Sequence, residues 1–486
     1  MHRAPYIKLY PVILLLGMLI VAIPPLFLHL GSLPMQLFDE ARIAVSAQEM
    51  LRNHNLLVVH YGGAPDMWSV KPPLMVWLQT LSMQLCGMHE WATRLPGAIA
   101  STCTCVILYL FFVWKKAPLA GFISVLVLIT SQGFVTLHCN RTGDYDALLT
   151  FFTTAYCFSY FAYLHLGKLK FLYLTFIFLA LAVLTKGVAA MLFFPAILLF
   201  TVYKKSLLRL LKEKHFYIGL VAFLVLVLAY YLLREHYNPG YIQAVWQNEL
   251  GGRYSQALEG NKGTFLYYFH NMALHQFKPW YWLVVPGVLA GLFVDNKKYR
   301  DLTVYLFLLS ALFLLIISSA QTKLYWYAMP MYPFLSAIVG LFVYYVFTML
   351  QRRGRWTEYL SYLLMPVIFL LPYKEAIALS TALPNIGSQR MDNEHMAEYL
   401  HDALQGKQSI TGRAVIYTGY HANINWYLEA LGHKNDIQNN LNKADSEENI
   451  IVFQDSVKKY METHYQTTIL QTYHNVTVYR LNGKRQ

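Results

Sequence analysis

Two short segments carry carboxylates at positions where a carboxylate can do chemistry. Asp39 and Glu40 open the segment DEARIAVSAQEML (39–51), and Asp144 and Asp146 stand two residues apart in RTGDYDALLTFF (141–152). An acidic residue at a helix start often serves as an N-cap or complements the helix dipole. At the first segment, Asp39 as a cap with Glu40 in the first turn would account for both carboxylates, whereas at the second segment capping accounts for one and two are more than a cap needs. An unprotonated carboxylate beside a cavity can also act as a general base for a hydroxyl group.

Basic residues accompany these carboxylates at breaks in apolar runs. Lys71 precedes two prolines in VKPPLMVWL (70–78), so the chain turns there and a helix begins at or after them. A lysine at such a break can face an anion. An isolated lysine at this place more often extends its side chain along the apolar surface so that its ammonium group reaches the membrane interface. The interface interpretation also explains Lys186, which interrupts the apolar stretch 181–195, and Arg42, Arg253 and Lys323 complete the set.

Taken together, these residues predict a pocket that holds several cations and at least one carboxylate. Cations at a membrane interface suit the phosphate of a lipid, and a free carboxylate suits the activation of an acceptor hydroxyl. The chemistry indicated is the displacement of a lipid phosphate from a sugar.

The elements that must position this pocket are apolar helices. Of the 486 residues, 56% are hydrophobic and 13% are charged, whereas soluble chains carry about 25% charged residues. A spanning helix needs about 20 apolar residues, and that length predicts about eleven spans. They lie near 11–30, 93–113, 118–137, 145–166, 171–185, 187–203, 216–234, 279–294, 302–319, 326–349 and 359–379.

The net charge of +13 follows the membrane topology and does not indicate a nucleic-acid surface. With the N-terminus inside, the short basic clusters around Lys115, Lys168, Arg209, Lys297 and Arg352 all fall on one side, as the positive-inside rule requires. The predicted pocket and the C-terminal part then lie on the outer face, which is the periplasm if the cell has two membranes. The five cysteines lie mostly in or beside apolar runs without metal-ligand spacing.

Two long outer loops and a polar tail complete the predicted organisation. The loops, 31–92 and 235–278, contain amphipathic stretches at 39–51, 241–254 and 265–277 that favour helices lying in the membrane interface. Nearly half of the 26 acidic residues lie after residue 380. The tail predicts a helix at 395–404 and strands at 413–419, 449–454 and 476–481. We therefore expect a membrane domain over 1–380 and a small soluble α/β domain over 381–486.

The first loop also resembles a known family. The pieces DEAR (39–42), KPPL (71–74) followed by Trp77, and ATRLPGA (92–98) resemble the bacterial lipid A aminoarabinose transferases and the related protein O-mannosyltransferases. Weaker matches continue through LTKG (184–187) and NELGGRY (248–254) to the segment around Lys323. The resemblance covers roughly residues 1–350. It implies a GT-C glycosyltransferase fold and a donor sugar carried on undecaprenyl phosphate or a similar polyprenyl phosphate.

Roles for individual residues follow from the same resemblance. It implies that Asp39, with Glu40 beside it, is the catalytic carboxylate of an inverting transfer, and that Lys71 and Arg253 hold the lipid phosphate. Arg42 and Lys186 would assist, while Asp144, Asp146 and Lys323 would shape the site.

One position departs from the family pattern. A carboxylate commonly precedes the KPP lysine and can contribute to a metal site, but here the residue is Val70. We therefore expect no required metal, and we interpret His60 and His89 as ordinary interfacial residues. Fixed cations could replace the metal.

Three other functions fit parts of the pattern. A lipid or solute transporter would explain charges within a membrane domain, but the sequence has no inverted repeat. An oligosaccharide ligase would share the architecture, and the DEAR and KPPL pieces argue against it. An inactive homologue would bind the carrier lipid only. The expected acceptor is a lipid, a protein hydroxyl or another glycan of the cell envelope.

Overall fold

Apolar helices form most of the chain up to residue 378. The computed structural model describes residues 4–136, 138–251, 260–294, 296–381, 388–434 and 436–485. The helices of this part are α1 (Ala4–Phe27), α2 (Asp39–Asn53), α3 (Leu74–Cys86), α4 (Glu90–Trp114), α5 (Pro118–Ile129), α6 (Gln132–Val135), α7 (Tyr145–Leu166), α8 (Leu169–Lys186), α9 (Phe194–Tyr203), α10 (Leu207–Leu211), α11 (Lys214–Tyr237), α12 (Tyr241–Val245), α13 (Tyr267–Asn271), α14 (Tyr281–Phe293), α15 (Lys297–Ser319), α16 (Tyr332–Arg353) and α17 (Arg355–Ala378).

Among the described residues, eight helices are long and apolar enough to cross a membrane: α1, α4, α7, α8, α11, α15, α16 and α17. Three of the predicted spans correspond to the shorter apolar helices α5, α9 and α14. The apolar helix α3 is the helix predicted to begin at or after Pro72 and Pro73, and it was not counted among the spans. It lies inside the first long loop and begins directly after Pro73, where the sequence predicted a turn. The chain is a multi-pass membrane protein.

The second long loop is helical at the predicted places within the described residues. Helix α12 continues into a π-helical turn over Trp246–Gly251, and α13 continues into another over Met272–Gln276. Two 3-10 segments, Gly187–Met191 and Tyr325–Met331, precede α9 and α16.

Contacts between helix ends fix which loops share a side of the membrane domain. Lys204, which follows α9, pairs with Asp301 near the start of α15 at 2.6 Å, and the end of α7 adds His165 to the same carboxylate at 4.0 Å. At the opposite end, Asp146 at the start of α7 pairs with Lys186 at the end of α8. The basic loops and the carboxylates singled out by the sequence therefore lie at opposite ends of the helices.

Helix α2 differs from the prediction of an amphipathic helix lying in the interface. Ile43, Ala47 and Met50 pack into the core of the membrane domain, while Ala44 and Val45 pack into a cluster with the C-terminal domain. Both faces of α2 are therefore covered by protein. The polar side that the sequence assigned to lipid headgroups is covered by the first loop instead, where Glu49 accepts from the backbone N–H of Gly62.

The C-terminal part is a mixed five-stranded sheet with three helices. Its strands are β3 (Ala414–Tyr417), β4 (Asp436–Gln438), β5 (Asn449–Val452), β6 (Tyr465–Tyr473) and β7 (Val476–Lys484), after a short hairpin β1 (His60–Tyr61) and β2 (Ala64–Pro65) in the first loop. The order is β4-β3-β5-β7-β6, with β3 parallel to β4 and β5 and the remaining pairs antiparallel. The helices are α18 (Ser388–Leu404), α19 (Ala422–Ala430) and α20 (Asp455–His464).

This domain is docked on the membrane domain through a buried polar network. Tyr427 accepts a hydrogen bond from the backbone N–H of Met35 at 3.0 Å and donates to Glu90 at 2.7 Å. His401 bonds the same Glu90 oxygen at 2.6 Å, and Gln48 of α2 donates to the carbonyl of Trp426. Because buried polar groups are costly to leave unpaired, this network holds α2 in a defined position between the two parts.

Candidate active site

Asp39 is the first residue of α2 and lies at the outer end of the membrane domain. No side chain caps this helix start, so Asp39 and Glu40 in the first turn provide the negative charge that the helix dipole favours. Asp39 is partly exposed. Among the described residues it has no ion-pair partner within 4.0 Å, whereas Glu40, Asp66, Asp144 and Asp146 each have one.

Glu40 is a buried structural carboxylate in this geometry. Its Oε1 accepts from Arg94 Nε at 2.6 Å and from the backbone N–H of Gly143 at 3.1 Å. Arg94 also donates to the carbonyls of Leu30 and Leu33. The pair joins α2, α4 and the loop before α7, and Glu40 is only 1% exposed. The placement favours a positioning role over contact with a substrate.

Asp144 and Asp146 have separate partners. Asp144 is the N-cap of α7 and accepts from the backbone N–H of Tyr145 at 2.6 Å. Asp146, in the first turn of the helix, pairs with Lys186 at 2.6 Å, and the ammonium of Lys186 lies 5.2 Å from the ring centre of Tyr327. One of the two carboxylates thus caps a helix, and the other balances a buried cation, a pairing that the sequence did not predict.

His138 is a member of the site that sequence reasoning missed. Its Nδ1 lies 3.2 Å from Asp144 Oδ2, and its ring stacks on Trp326 with centroids 3.9 Å apart. Burial lowers the pKa of His138, but the hydrogen bond and the charge of Asp144 outweigh it, so the pKa lies above its ordinary value. The contact with Asp144 therefore favours the protonated form of His138. A single histidine in an irregular loop gives no periodic or spacing signal.

Lys71 lies at the turn before α3, as predicted, and its side chain is 9% exposed. Its ammonium is 5.2 Å from the ring centre of Tyr145 and 3.6 Å from Glu249 Oε1. Tyr145 stands between Asp144 and Asp146, so the contact brings Lys71 to the start of α7. Glu249 was not singled out by the sequence because it lies in a separate loop.

Arg42 and Lys323 are engaged in structural contacts. Arg42 forms a two-bond pair with Asp66, at 3.0 Å and 2.8 Å. Lys323 donates to the carbonyls of Ile317, Ser318 and Ala320 and so caps the C-terminal end of α15. These contacts leave neither cation directed at a shared phosphate position. Arg253 lies outside the described residues, and its role remains a prediction.

Three side chains of the site could together hold a metal ion. Ligand atoms of Asp39, His138 and Asp144 all lie within 4.8 Å of one another. Oxygen and imidazole ligands of this kind suit several divalent ions. His60 and His89 are not part of this group: His60 bonds the carbonyl of Val58, and His89 stacks on Trp91. The hydrogen bond between His138 and Asp144 occupies one ligand atom of each and competes with a metal.

Comparisons with known proteins fit this arrangement. Residues 70–231 match the family model of dolichyl-phosphate-mannose-protein mannosyltransferases. The chain is 28% identical over 327 residues to an undecaprenyl phosphate-α-4-amino-4-deoxy-L-arabinose arabinosyl transferase of Aeromonas salmonicida, covering 64% of this chain and 57% of that one. An uncharacterised Aquifex aeolicus protein is 27% identical over 337 residues. The chain spans less than two thirds of the length of these curated relatives, 63% for the Aquifex protein.

Solved structures share the fold over almost the whole chain. ArnT from Cupriavidus metallidurans bound to undecaprenyl phosphate superposes with a TM-score of 0.72 at 15% identity, covering 97% of both chains. The archaeal oligosaccharyltransferase AglB from Archaeoglobus fulgidus gives a TM-score of 0.60 at 12% identity, with 99% of this chain and 75% of that one covered. The chain has the GT-C fold, and the resemblance to the aminoarabinose transferases and protein O-mannosyltransferases that its first loop predicts is confirmed.

Proposed function

We propose that the protein transfers a monosaccharide from a polyprenyl-phosphate carrier to an envelope acceptor, with inversion at the anomeric carbon. The observation that carries the proposal is the setting of Asp39. Its carboxylate has no ion-pair partner among the described residues, yet it lies beside a set of carboxylates and cations that are paired with one another. A free carboxylate among fixed charges is what a general base requires.

In the proposed reaction, the oxygen of the acceptor hydroxyl attacks the anomeric carbon, and Asp39 takes the proton of that hydroxyl. The bond from that carbon to the phosphate oxygen breaks, and the lipid phosphate leaves with the electron pair. Glu40 does not compete as a base because Arg94 and the N–H of Gly143 hold its charge. Arg94 and Glu40 instead fix the first turn of α2, from which Asp39 projects.

Lys71 is the proposed holder of the lipid phosphate. Its contact with Glu249 is long, at 3.6 Å, so the ammonium can turn toward the singly charged phosphodiester of the donor and balance the second negative charge that develops as the lipid phosphate leaves. Lys186 is held at 2.6 Å by Asp146, and we assign it the smaller role of setting the positive potential near the start of α7. Arg253 would complete the phosphate site. Fixed cations of this kind stabilise charge as it develops on a leaving group.

The proposed donor is a sugar on undecaprenyl phosphate or a related carrier. Two structures of the same fold support this class: ArnT was solved with undecaprenyl phosphate, and AglB with dolichol phosphate. We propose a bacterial inner membrane location, with the site on the periplasmic side. The basic loops lie at the end opposite the site, which is the cytoplasmic end under the positive-inside rule.

A transfer assay with Asp39→Asn tests the proposal. The protein is reconstituted with a radiolabelled undecaprenyl-phosphate sugar and total envelope extract as the acceptor source. Wild type should move label from the carrier to the extract, and Asp39→Asn should lose about 100-fold or more of that rate. A control at the exposed Asp455, Asp455→Asn, should transfer normally. Equal transfer by wild type and Asp39→Asn would refute the base assignment.

A further inference from the structure

Tyr420 extends from the C-terminal domain to the helix that carries Asp39. It lies in the loop between β3 and α19, and its ring centre is 6.0 Å from that of Tyr61 in the first loop. The guanidinium carbon of Arg42 is 4.3 Å from the centre of Tyr61 and 6.0 Å from that of Tyr420. Two tyrosines from different domains therefore meet at one arginine of α2.

Hydrogen bonds on both sides of Tyr420 fix its loop. The backbone N–H of Gly419 donates to Asn439 at 2.7 Å, and Gln438 donates to the carbonyl of Gly419 at 2.8 Å. His421 bonds Asn393 of α18 at 2.7 Å. The position of Tyr420 is thus set by the fold of the C-terminal domain and by the docking of that domain on α2.

Arg42 supports the two rings and is not an open anion site. Both of its hydrogen bonds to Asp66 are short, and the Asp66 side chain is only 1% exposed. Burial raises the pKa of Asp66, but the hydrogen bond and charge of Arg42 hold it below its ordinary value. The guanidinium charge is therefore already balanced, and its planar face orders Tyr61 through a cation–π contact.

The two tyrosines stand on the same side of α2 as the proposed base. Asp39 and Arg42 are three residues apart in α2, and residues at this spacing are neighbours on a helix surface. Tyr420 is 42% exposed and Trp68 is 51% exposed. Trp68 lies close to the pair of Arg42 and Asp66 because its backbone N–H donates to Asp66. Open aromatic faces thus adjoin the carboxylate that would receive the acceptor's proton.

We propose that Tyr61 and Tyr420 form the acceptor subsite and that the acceptor presents an uncharged sugar ring to Asp39. This inference rests on the proposed function and names its acceptor class. The C–H face of a pyranose packs on an aromatic ring, and its hydroxyls pair with phenol groups. A phosphorylated acceptor would meet the carboxylate of Asp39 and an arginine whose charge Asp66 already balances. The C-terminal domain thereby becomes part of the active site.

Saturation-transfer NMR on the full-length protein in detergent tests the inference, with methyl α-glucoside, methyl α-mannoside and methyl N-acetyl-β-glucosaminide as probes. Wild type should bind at least one of these neutral glycosides. Tyr420→Ala and Tyr61→Ala should each weaken that binding by about fivefold or more, while Tyr420→Phe should keep most of it. Tyr460→Ala is the matched control: Tyr460 belongs to the same domain and stacks on His464, so its loss should change nothing.

Three results would overturn the inference: normal glycoside binding by Tyr420→Ala, no glycoside binding by wild type, or tighter binding of glucose 6-phosphate than of the neutral probes. A serine- and threonine-containing peptide that binds only when Tyr420 is present would also overturn it and would assign the subsite to a protein acceptor. Undecaprenyl phosphate binding is measured in parallel on each variant. Its absence from wild type would count against the proposed donor, whereas its retention in Tyr420→Ala separates an acceptor defect from a donor defect.

Discussion

Asp39 and Glu40 are adjacent in α2, but their carboxylates lie in different surroundings. Glu40 is buried and held by Arg94 at 2.6 Å, whereas Asp39 is partly exposed and has no ion-pair partner among the described residues. The pair thus divides into a buried carboxylate that is held by an arginine and a partly exposed carboxylate that is the proposed base. The first turn of α2 is where the membrane domain, the C-terminal domain and the proposed chemistry meet.

Glu40→Gln should destabilise the protein, whereas Asp39→Asn should not. Removing one partner of a buried ion pair leaves an uncompensated charge and costs about 3–5 kcal/mol. Glu40→Gln should therefore lower the thermal unfolding midpoint in detergent, and Asp39→Asn should stay close to wild type while losing transfer. A normal midpoint for Glu40→Gln would contradict the structural role of its contact with Arg94.

Lys186→Met should be harmful alone and largely repaired by a second change. The single variant leaves Asp146 buried without its partner at 2.6 Å, at a cost of about 3–5 kcal/mol. Adding Asp146→Asn removes the stranded charge, so the double variant should regain most of the thermal stability. Donor binding measured on the double variant then reports the role of Lys186 without a folding defect. Equal stability of the single and double variants would exclude coupling between the two residues.

Removal of divalent metal should leave transfer unchanged. The hydrogen bond between His138 and Asp144 occupies ligand atoms that a metal ion would need, and in the proposed mechanism Lys71 holds the leaving phosphate. Exhaustive treatment with EDTA followed by the transfer assay checks this. Loss of activity that Mn²⁺ restores in wild type but not in His138→Ala would contradict it, and would make the group formed by Asp39, His138 and Asp144 a required metal site.

A cysteine at position 209 should react from the cytoplasmic side only. Arg209 is exposed on α10, between α9 and α11, at the end of the helices opposite Asp39. The positive-inside rule assigns this end to the cytoplasm. In a background without the natural cysteines, a membrane-impermeant maleimide should label Arg209→Cys in inverted vesicles and not in intact cells. Labelling in intact cells would reverse the proposed topology.

The features that could be predicted from the sequence are those that depend on long apolar runs or on local signals such as prolines, a capping carboxylate and a lysine within an apolar run. The spans coincide with helices because about 20 apolar residues leave few alternatives in lipid. The turn at Pro72 and Pro73, the cap at Asp144 and the break at Lys186 follow from local chemistry that requires no knowledge of the fold. Three of the five strands of the C-terminal sheet were predicted; β4 has three residues, and the long polar edge strand β6 lacks the alternating pattern of a half-buried strand.

Partners distant in the sequence could not be predicted in the same way. Arg94 lies in the matched segment ATRLPGA, but nothing local ties it to Glu40, which is 54 residues away. The meeting of Asp66 with Arg42 and of Glu249 with Lys71 likewise depends on how loops fold over one another. The docking of the C-terminal domain on α2 was not predicted. An amphipathic pattern shows that the two faces of a helix differ in polarity, but it does not show whether the more polar face meets lipid headgroups or another part of the protein.

The most direct test of the central claim is native mass spectrometry of the purified protein, comparing wild type with Lys71→Ala. Lys205→Ala, an exposed lysine at the opposite end of the helices, serves as the control. We predict a polyprenyl-phosphate sugar on wild type and on Lys205→Ala, with that lipid strongly reduced on Lys71→Ala. Phospholipid alone on wild type, or equal loads of the polyprenyl-phosphate sugar on all three proteins, would contradict a donor phosphate held by Lys71.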